Sequence, residues 1–273
     1  MILASDTRAT FPKSNVRPHD ECGKQWHLLP FRCAACAAGR LSIAQPVADE
    51  LSNQFVRLSN PRRKRLYTGH IARAINEARF TVFREMVSWS LKKTYCLSLQ
   101  EWQTGRVPSG KLDRLLLEAG KVLIQNELKD FSVELIVGGF LGNHQLVFYK
   151  VSRMRHLEAS SAPGVFAIGT GGVAAMNHLN SRGQNADCSL ARSLLHVTEA
   201  VAIARLKNPD TVGRPSHFVV IWKDGTMKRF DPNCPAMRNW KKVYKHRTST
   251  WGLQNSKVAD VEVKSQMIEH EPR

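Results

Sequence analysis

Residues 25–39 decide the fold: Gln25-Trp26-His27-Leu28-Leu29, a proline at position 30, then Phe31-Arg32-Cys33-Ala34-Ala35-Cys36-Ala37-Ala38 and Gly39. Each run is short, apolar and bounded by a chain breaker, so both read as strands. After Gly39 the period changes. From Leu41 to Leu58, Val47, Leu51, Phe55 and Leu58 recur every three or four positions, the spacing of one helical face. A longer helical stripe runs from Tyr67 to Tyr95 through Ile71, Ile75, Ala78, Val82, Met86 and Trp89. Strands in succession followed by helices in succession point to antiparallel sheets covered by helices, because a parallel doubly wound sheet alternates them singly.

Outward from this stretch the pattern repeats. Met1 to Ser5 reads as a first strand, cut off by Asp6-Thr7-Arg8-Ala9-Thr10 and the loop around Pro12. Leu97 to Lys111 reads as a loop or insertion, and Leu112 to Leu128 returns to helical spacing. Phe131 to Val137 and Gln145 to Lys150 read as a hairpin turning around Gly138-Gly139 and Gly142-Asn143. Val165 to Ile168 is a short strand ending in Gly169-Thr170-Gly171-Gly172, and helical periodicity follows over Val173 to Leu179 and Leu190 to Leu206. His217 to Trp222 and Thr226 to Phe230 flank Lys223-Asp224-Gly225, and an Asp-Gly pair between such runs signals a hairpin. The expected architecture is α+β, a core of two antiparallel sheets with helices outside. It spans residues 1–232, with 97–128 as an insertion and 233–273 as a basic tail without a core-forming pattern.

Composition narrows the function. The 273 residues are 42% hydrophobic, enough for a sizeable core. Forty Lys and Arg against 23 Asp and Glu give a formal charge of +17, which favours an acidic partner. No apolar run approaches the roughly 18 residues of a membrane span, and the first residues lack the pattern of a secretory leader, so a cytoplasmic protein without membrane contact is expected. Six cysteines are too sparse for a disulfide scaffold.

Cys33 and Cys36 have the spacing of half a zinc site, and His19 with Cys22 could supply the other half. A spacing of three in a strand turns the two thiols to opposite faces, so small buried strand residues are the better reading, and neither metal nor cofactor is expected. Gly169 to Gly172 leads from a strand into a helix. It reads as a tight turn allowing close packing, with an anion-holding turn as the alternative. Asp6 closes the first strand and Lys24 opens the second, so their side chains could meet at one strand end, as a structural ion pair or as part of a site. Arg62-Arg63-Lys64-Arg65 and a tail carrying Arg238, Lys241, Lys242, Lys245 and Arg247 among Trp240 and Tyr244 support a rival reading as a nucleic-acid-binding or scaffolding protein. Solvated basic segments are the plainer account of both.

Ile2-Leu3-Ala4-Ser5-Asp6-Thr7-Arg8-Ala9-Thr10, Gly23-Lys24, the small-residue strand ending in Gly39, and Phe166 to Met176 together resemble, in order and spacing, the proteasome core-particle β-type subunits. The resemblance covers about residues 1–230 with gaps. It implies a four-layer αββα sandwich of the N-terminal nucleophile hydrolase class, threonine-type peptide-bond hydrolysis, and assembly into a homo-oligomer or ring. In active members an N-terminal threonine attacks the peptide carbonyl with the terminal amine as base. By the same match Lys24 keeps the nucleophile's surroundings positive, Asp6 orients Lys24, and Gly39 offers a backbone amide to the oxyanion. The turn holding Gly169, Gly171 and Gly172 lies beside the substrate. The nucleophile itself is expected one short hairpin before Asp6, ahead of the strand that begins at Met1. Exposing Ser5 or Thr7 by trimming would destroy the strand that positions Asp6. Either the start codon lies further upstream, the preferred account because losing a core strand exposes an edge, or the chain is a silent relative; as written, no peptidase activity is expected.

Overall fold

The structure, a computed structural model, describes residues 1–6, 24–28, 32–58, 67–140, 146–152, 157–159, 164–185, 187–213, 216–222, 224 and 226–230. In chain order the elements are β1 (Ile2–Asp6), β2 (Gln25–Leu28), β3 (Arg32–Gly39), α1 (Leu41–Leu58), α2 (Thr68–Tyr95), α3 (Leu99–Thr104), β4 (Arg106–Val107), β5 (Gly110–Lys111), α4 (Arg114–Asp130), β6 (Val133–Phe140), β7 (Leu146–Ser152), β8 (Leu157–Ala159), α5 (Gly172–Ser181), α6 (Leu190–Lys207), β9 (Ser216–Ile221) and β10 (Met227–Phe230). The strands form a three-stranded sheet ordered β1-β9-β10, a five-stranded sheet ordered β2-β3-β6-β7-β8, and the small β4-β5 ribbon. β9 is antiparallel to both its neighbours, with Leu3 opposite Val219 and Ser5 opposite His217. β2 is antiparallel to β3, with Trp26 opposite Ala35 and Leu28 opposite Cys33.

The chain forms two compact units. The first comprises Met1–Ala38, Leu135–Lys150 and Glu158–Arg273. Its core follows from strand alternation. Leu3, Val219 and Ile221 from one sheet interlock with Ala34, Cys36, Ile136 and Phe140 from the other. The opposite face of the three-stranded sheet carries Phe218, Val220, Trp222 and Phe230, which pack on Ala191 and Leu194 of α6. Helix, sheet and sheet thus stack as three layers, and each fully buried Phe or Leu contributes about 1.5–3 kcal/mol. Gly138 lies within β6 rather than in a turn. A Cβ there would come within 2.6 Å of Met1 Sδ from the other sheet, so the glycine makes room between the sheets.

The second unit comprises Gly39–Glu134 and Val151–Leu157. α1 buries Ile43, Val47, Leu51 and Phe55. Ser90 Oγ on α2 donates to Glu127 Oε1 on α4 at 2.6 Å, and Phe83 meets Phe131 edge-on with centroids 5.5 Å apart. Residues 97–111, expected as a loop or insertion, contain α3 and the β4-β5 ribbon. A reciprocal cap starts α3: Glu101 N donates to Ser98 Oγ at 3.1 Å, and Ser98 N donates to Glu101 Oε2 at 2.7 Å. Trp102 Nε1 then donates to Leu117 O at 3.2 Å.

The expected strand at Val165 to Ile168 does not form; these residues join no ladder. Phe166 and Ile168 are held by side-chain packing on the inter-sheet core. Asp6 and Lys24 do not belong to neighbouring strands of one sheet, because β1 pairs with β9 and β2 with β3. Among the described residues no helix is long and apolar enough to cross a membrane.

Candidate functional site

Asp6 is the last residue of β1 and stands opposite Ser216. Lys24 immediately precedes β2, and its carbonyl accepts from Ala37 N at 3.1 Å, fixing it beside the end of β3. The next residue, Gln25, reaches across to the other sheet: its Nε2 donates to His217 O at 3.0 Å. His217 is the cross-strand partner of Ser5. The strand that ends in Asp6 and the strand that Lys24 precedes are thus each tied to β9, the first by its ladder and the second by the Gln25 hydrogen bond.

The Gly169 turn lies at the same end. Gly169 has φ +78°, and a Cβ there would stand 2.8 Å from that of Ala38. A Cβ on Gly171 would stand 2.9 Å from that of Ala204. Gly172 N donates to Gly169 O at 2.9 Å, closing the turn into α5. These glycines permit close approach of backbone to neighbours, as the packing reading requires. Gly39 follows Ala38 with φ +110°, and a Cβ there would overlap the carbonyl oxygen of Ser132, so only glycine fits.

The strand registers place a polar cluster on the inner faces of the two sheets. Gln25 and His27 alternate along β2 opposite the inward-facing Cys36 and Ala34. His217 and Arg229 flank the inward-facing Val219 in β9 and β10. Arg229 Nη2 and Nε donate to His217 Nδ1 at 2.6 and 3.0 Å, which leaves that nitrogen without a proton of its own. Partial burial, and then the Arg229 charge, hold the His27 pKa below the ordinary histidine value. Ser5 Oγ and Gln25 Oε1 are buried and have no hydrogen-bond partner among the described residues. Apart from Ser5, none of these polar groups was singled out from sequence. The only signal for Gln25 was a polar residue opening an otherwise apolar strand.

Cys33 and Cys36 are both buried, and burial pushes both thiols up to about 12. Cys36 faces the other sheet, and alternation turns Cys33 away from it. Among the described residues no group of three His, Cys, Asp or Glu is arranged to hold a metal. Arg62, Arg63, Lys64 and Arg65, the basic tail, His19, Cys22 and Thr7 lie outside the described residues.

The fold this describes is mixed α and β with antiparallel sheets. No family model matches the chain, and no curated protein matches it in sequence. Solved structures do match in fold. The Gly-1 mutant of Anbu from Hyphomicrobium sp. strain MC1 is similar with TM-score 0.57 and 14% identity, over 92% of this chain and 93% of that one. Anbu from the same strain is similar with TM-score 0.55 and 16% identity, over the same shares. These neighbours correct the resemblance to proteasome core-particle β-type subunits: the fold is that of Anbu.

Proposed function

We propose that this chain is a proteasome-related protein of the N-terminal nucleophile hydrolase type, whose site is built for peptide-bond hydrolysis around Lys24. The likeness in fold to Anbu, together with the sequence resemblance, supports the reading. The observation that supports the reading is the Gln25–His217 bond, which links β2 to β9, with the Gly169 turn close against Ala38 of β3.

In this reading the Lys24 ammonium keeps the attacking group's surroundings positive and the Asp6 carboxylate orients it. The Gly39 amide serves the developing oxyanion, and backbone groups of the turn at Gly169, Gly171 and Gly172 position the substrate. Among the described residues β1 is an edge strand. The reading places the Thr, Ser or Cys nucleophile on a further strand at that edge. The full arrangement is an αββα sandwich over residues 1–232, with 97–128 as an insertion and 233–273 as a tail. The protein acts in the cytoplasm as an oligomer of like subunits.

The test is hydrolysis of fluorogenic peptides by the 273-residue chain and by a chain extended through the in-frame upstream sequence. Turnover is expected only from the extended chain, falling at least about 100-fold with Lys24→Ala. Turnover by the 273-residue chain, or an extended chain indifferent to Lys24→Ala, overturns the reading.

A further inference from the structure

We infer that Arg229, with His217 beside it and His27 facing it from the other sheet, forms a carboxylate-binding site at the rim of the inter-sheet layer. All three residues belong to the first compact unit. The site uses none of the residues assigned to hydrolysis above and stands whether or not Lys24 serves that reaction.

Register puts the three side chains on facing surfaces. Arg229 stands opposite Val219 of β9, and His27 opposite Ala34 of β3, and both of these partners pack in the layer between the sheets. His217 lies two positions before Val219 on the same strand, so alternation gives it the same face. His27 and Arg229 are exposed and His217 is half-buried, so the cluster is open to solvent. Arg229 spends Nε and Nη2, the side edge of its guanidinium, on a single acceptor, His217 Nδ1, at 3.0 and 2.6 Å. Three of the five guanidinium N–H groups remain, on the end edge formed by Nη1 and Nη2. That edge presents two parallel N–H groups, the geometry that matches the two oxygens of a carboxylate. Among the described residues no carboxylate takes it, and the partner Arg229 does have is an imidazole nitrogen without a proton. Across the layer, after burial, the Arg229 charge disfavours a proton on His27. Two groups able to carry positive charge thus converge from two sheets, and an anion between them favours the charged form of both. Within this cluster Arg229 alone is permanently charged, which suits a singly charged, planar carboxylate better than a phosphate dianion.

The experiment titrates the isotope-labelled full chain with N-acetylglycine, whose carboxylate resembles a peptide C-terminus, and separately with acetyl-glutamate amide, whose carboxylate is a side chain. Ionic strength is held constant, and the ring C–H signals of His27 and His217 are read by NMR. Saturable shifts of both signals are expected with at least one probe, and the tighter probe names the source of the carboxylate. Neutral N-acetylglycinamide and inorganic phosphate are expected to bind at least about tenfold more weakly. Arg229→Gln is expected to weaken carboxylate binding about tenfold or more, and Arg229→Lys, which keeps the charge and loses the fork, about threefold or more. Because Arg229 is exposed, both variants are expected to keep the urea midpoint of the unchanged chain. Ring signals that do not move with either probe, or an affinity indifferent to Arg229→Gln, overturn the site. Phosphate binding more tightly than both carboxylates, or Arg229→Lys binding as well as the unchanged chain, overturns the assignment to a carboxylate held by the fork.

Discussion

Gly169 lies against Ala38 so closely that a Cβ on the glycine would stand 2.8 Å from that of the alanine, and Gly169 also holds a φ of +78°. The turn that opens α5 is thereby seated on the end of β3, one residue before Gly39.

Gly169→Ala should therefore destabilise the protein by about 1–3 kcal/mol, through backbone strain and contact together. The check is the urea midpoint. Adding Ala38→Gly should recover the contact part and leave the strain, whereas an unchanged midpoint for Gly169→Ala alone would mean that the turn is not seated as described.

Cys33 and Cys36 should resist thiol reagents in the folded protein at pH 8, because burial raises both thiols to about 12 and the thiolate is the reacting form. The exposed Cys96 and the half-buried Cys188 should react. Site-resolved labelling, before and after unfolding in urea, measures the difference. Labelling of Cys33 as fast as Cys96 in the native protein would contradict the strand placement.

His196 should make stability depend on pH. It is buried, with its ring Nδ1 2.8 Å from Gln184 Oε1. Burial first, then the charges of Arg192, Arg182 and His178, lower its pKa, and Glu199 opposes them. The unfolded chain takes up this proton near pH 6.5 and the folded chain only at lower pH, so the unfolded state binds more protons in between. Stability present above about pH 6.5 is lost as the pH falls through that window. Urea midpoints measured from pH 7.5 to 5 should fall less steeply for His196→Gln than for the unchanged chain, with His27, shifted in the same direction, contributing to the remaining slope. Equal slopes would remove His196 from the account.

Leu194 is fully buried between α6 and the three-stranded sheet. Leu194→Ala should cost about 2–5 kcal/mol, the range for truncating a core leucine. Chemical denaturation gives the value directly. A loss under about 1 kcal/mol would mean that α6 does not cover that sheet.

Much of this fold is legible in the sequence where packing leaves a period. The stripe from Leu41 to Leu58 gives α1 at the bounds the structure shows, and the Lys223-Asp224-Gly225 signal gives the β9-β10 hairpin. The helix α3 carried a readable signature, Ser98 followed three residues later by Glu101, but six residues are too few to show an apolar stripe. Val165 to Ile168 looks like a strand because it is apolar, yet Phe166 is anchored by its ring, 4.9 Å from that of Phe148, with no ladder to join. The sheet membership of Asp6 and Lys24 was not visible. Their strands lie in different sheets, since β1 finds its partner in the distant β9 and such pairing leaves no local pattern. Gln25 was invisible for a related reason: both faces of β2 are partly covered, so alternation along it does not separate an inward amide from an outward one.

The proposed function requires the Asp6 carboxylate and the Lys24 ammonium to meet at one end of the two sheets. A water-soluble carbodiimide joins a carboxylate to an amine with no spacer, so only groups in contact are linked. Treated this way and digested, the full chain should yield the peptide pair joined through Asp6 and Lys24, lost on Asp6→Asn, alongside the Glu118–Lys121 link expected from their 2.8 Å ion pair. Recovery of the Glu118–Lys121 link without any Asp6–Lys24 link would contradict the account.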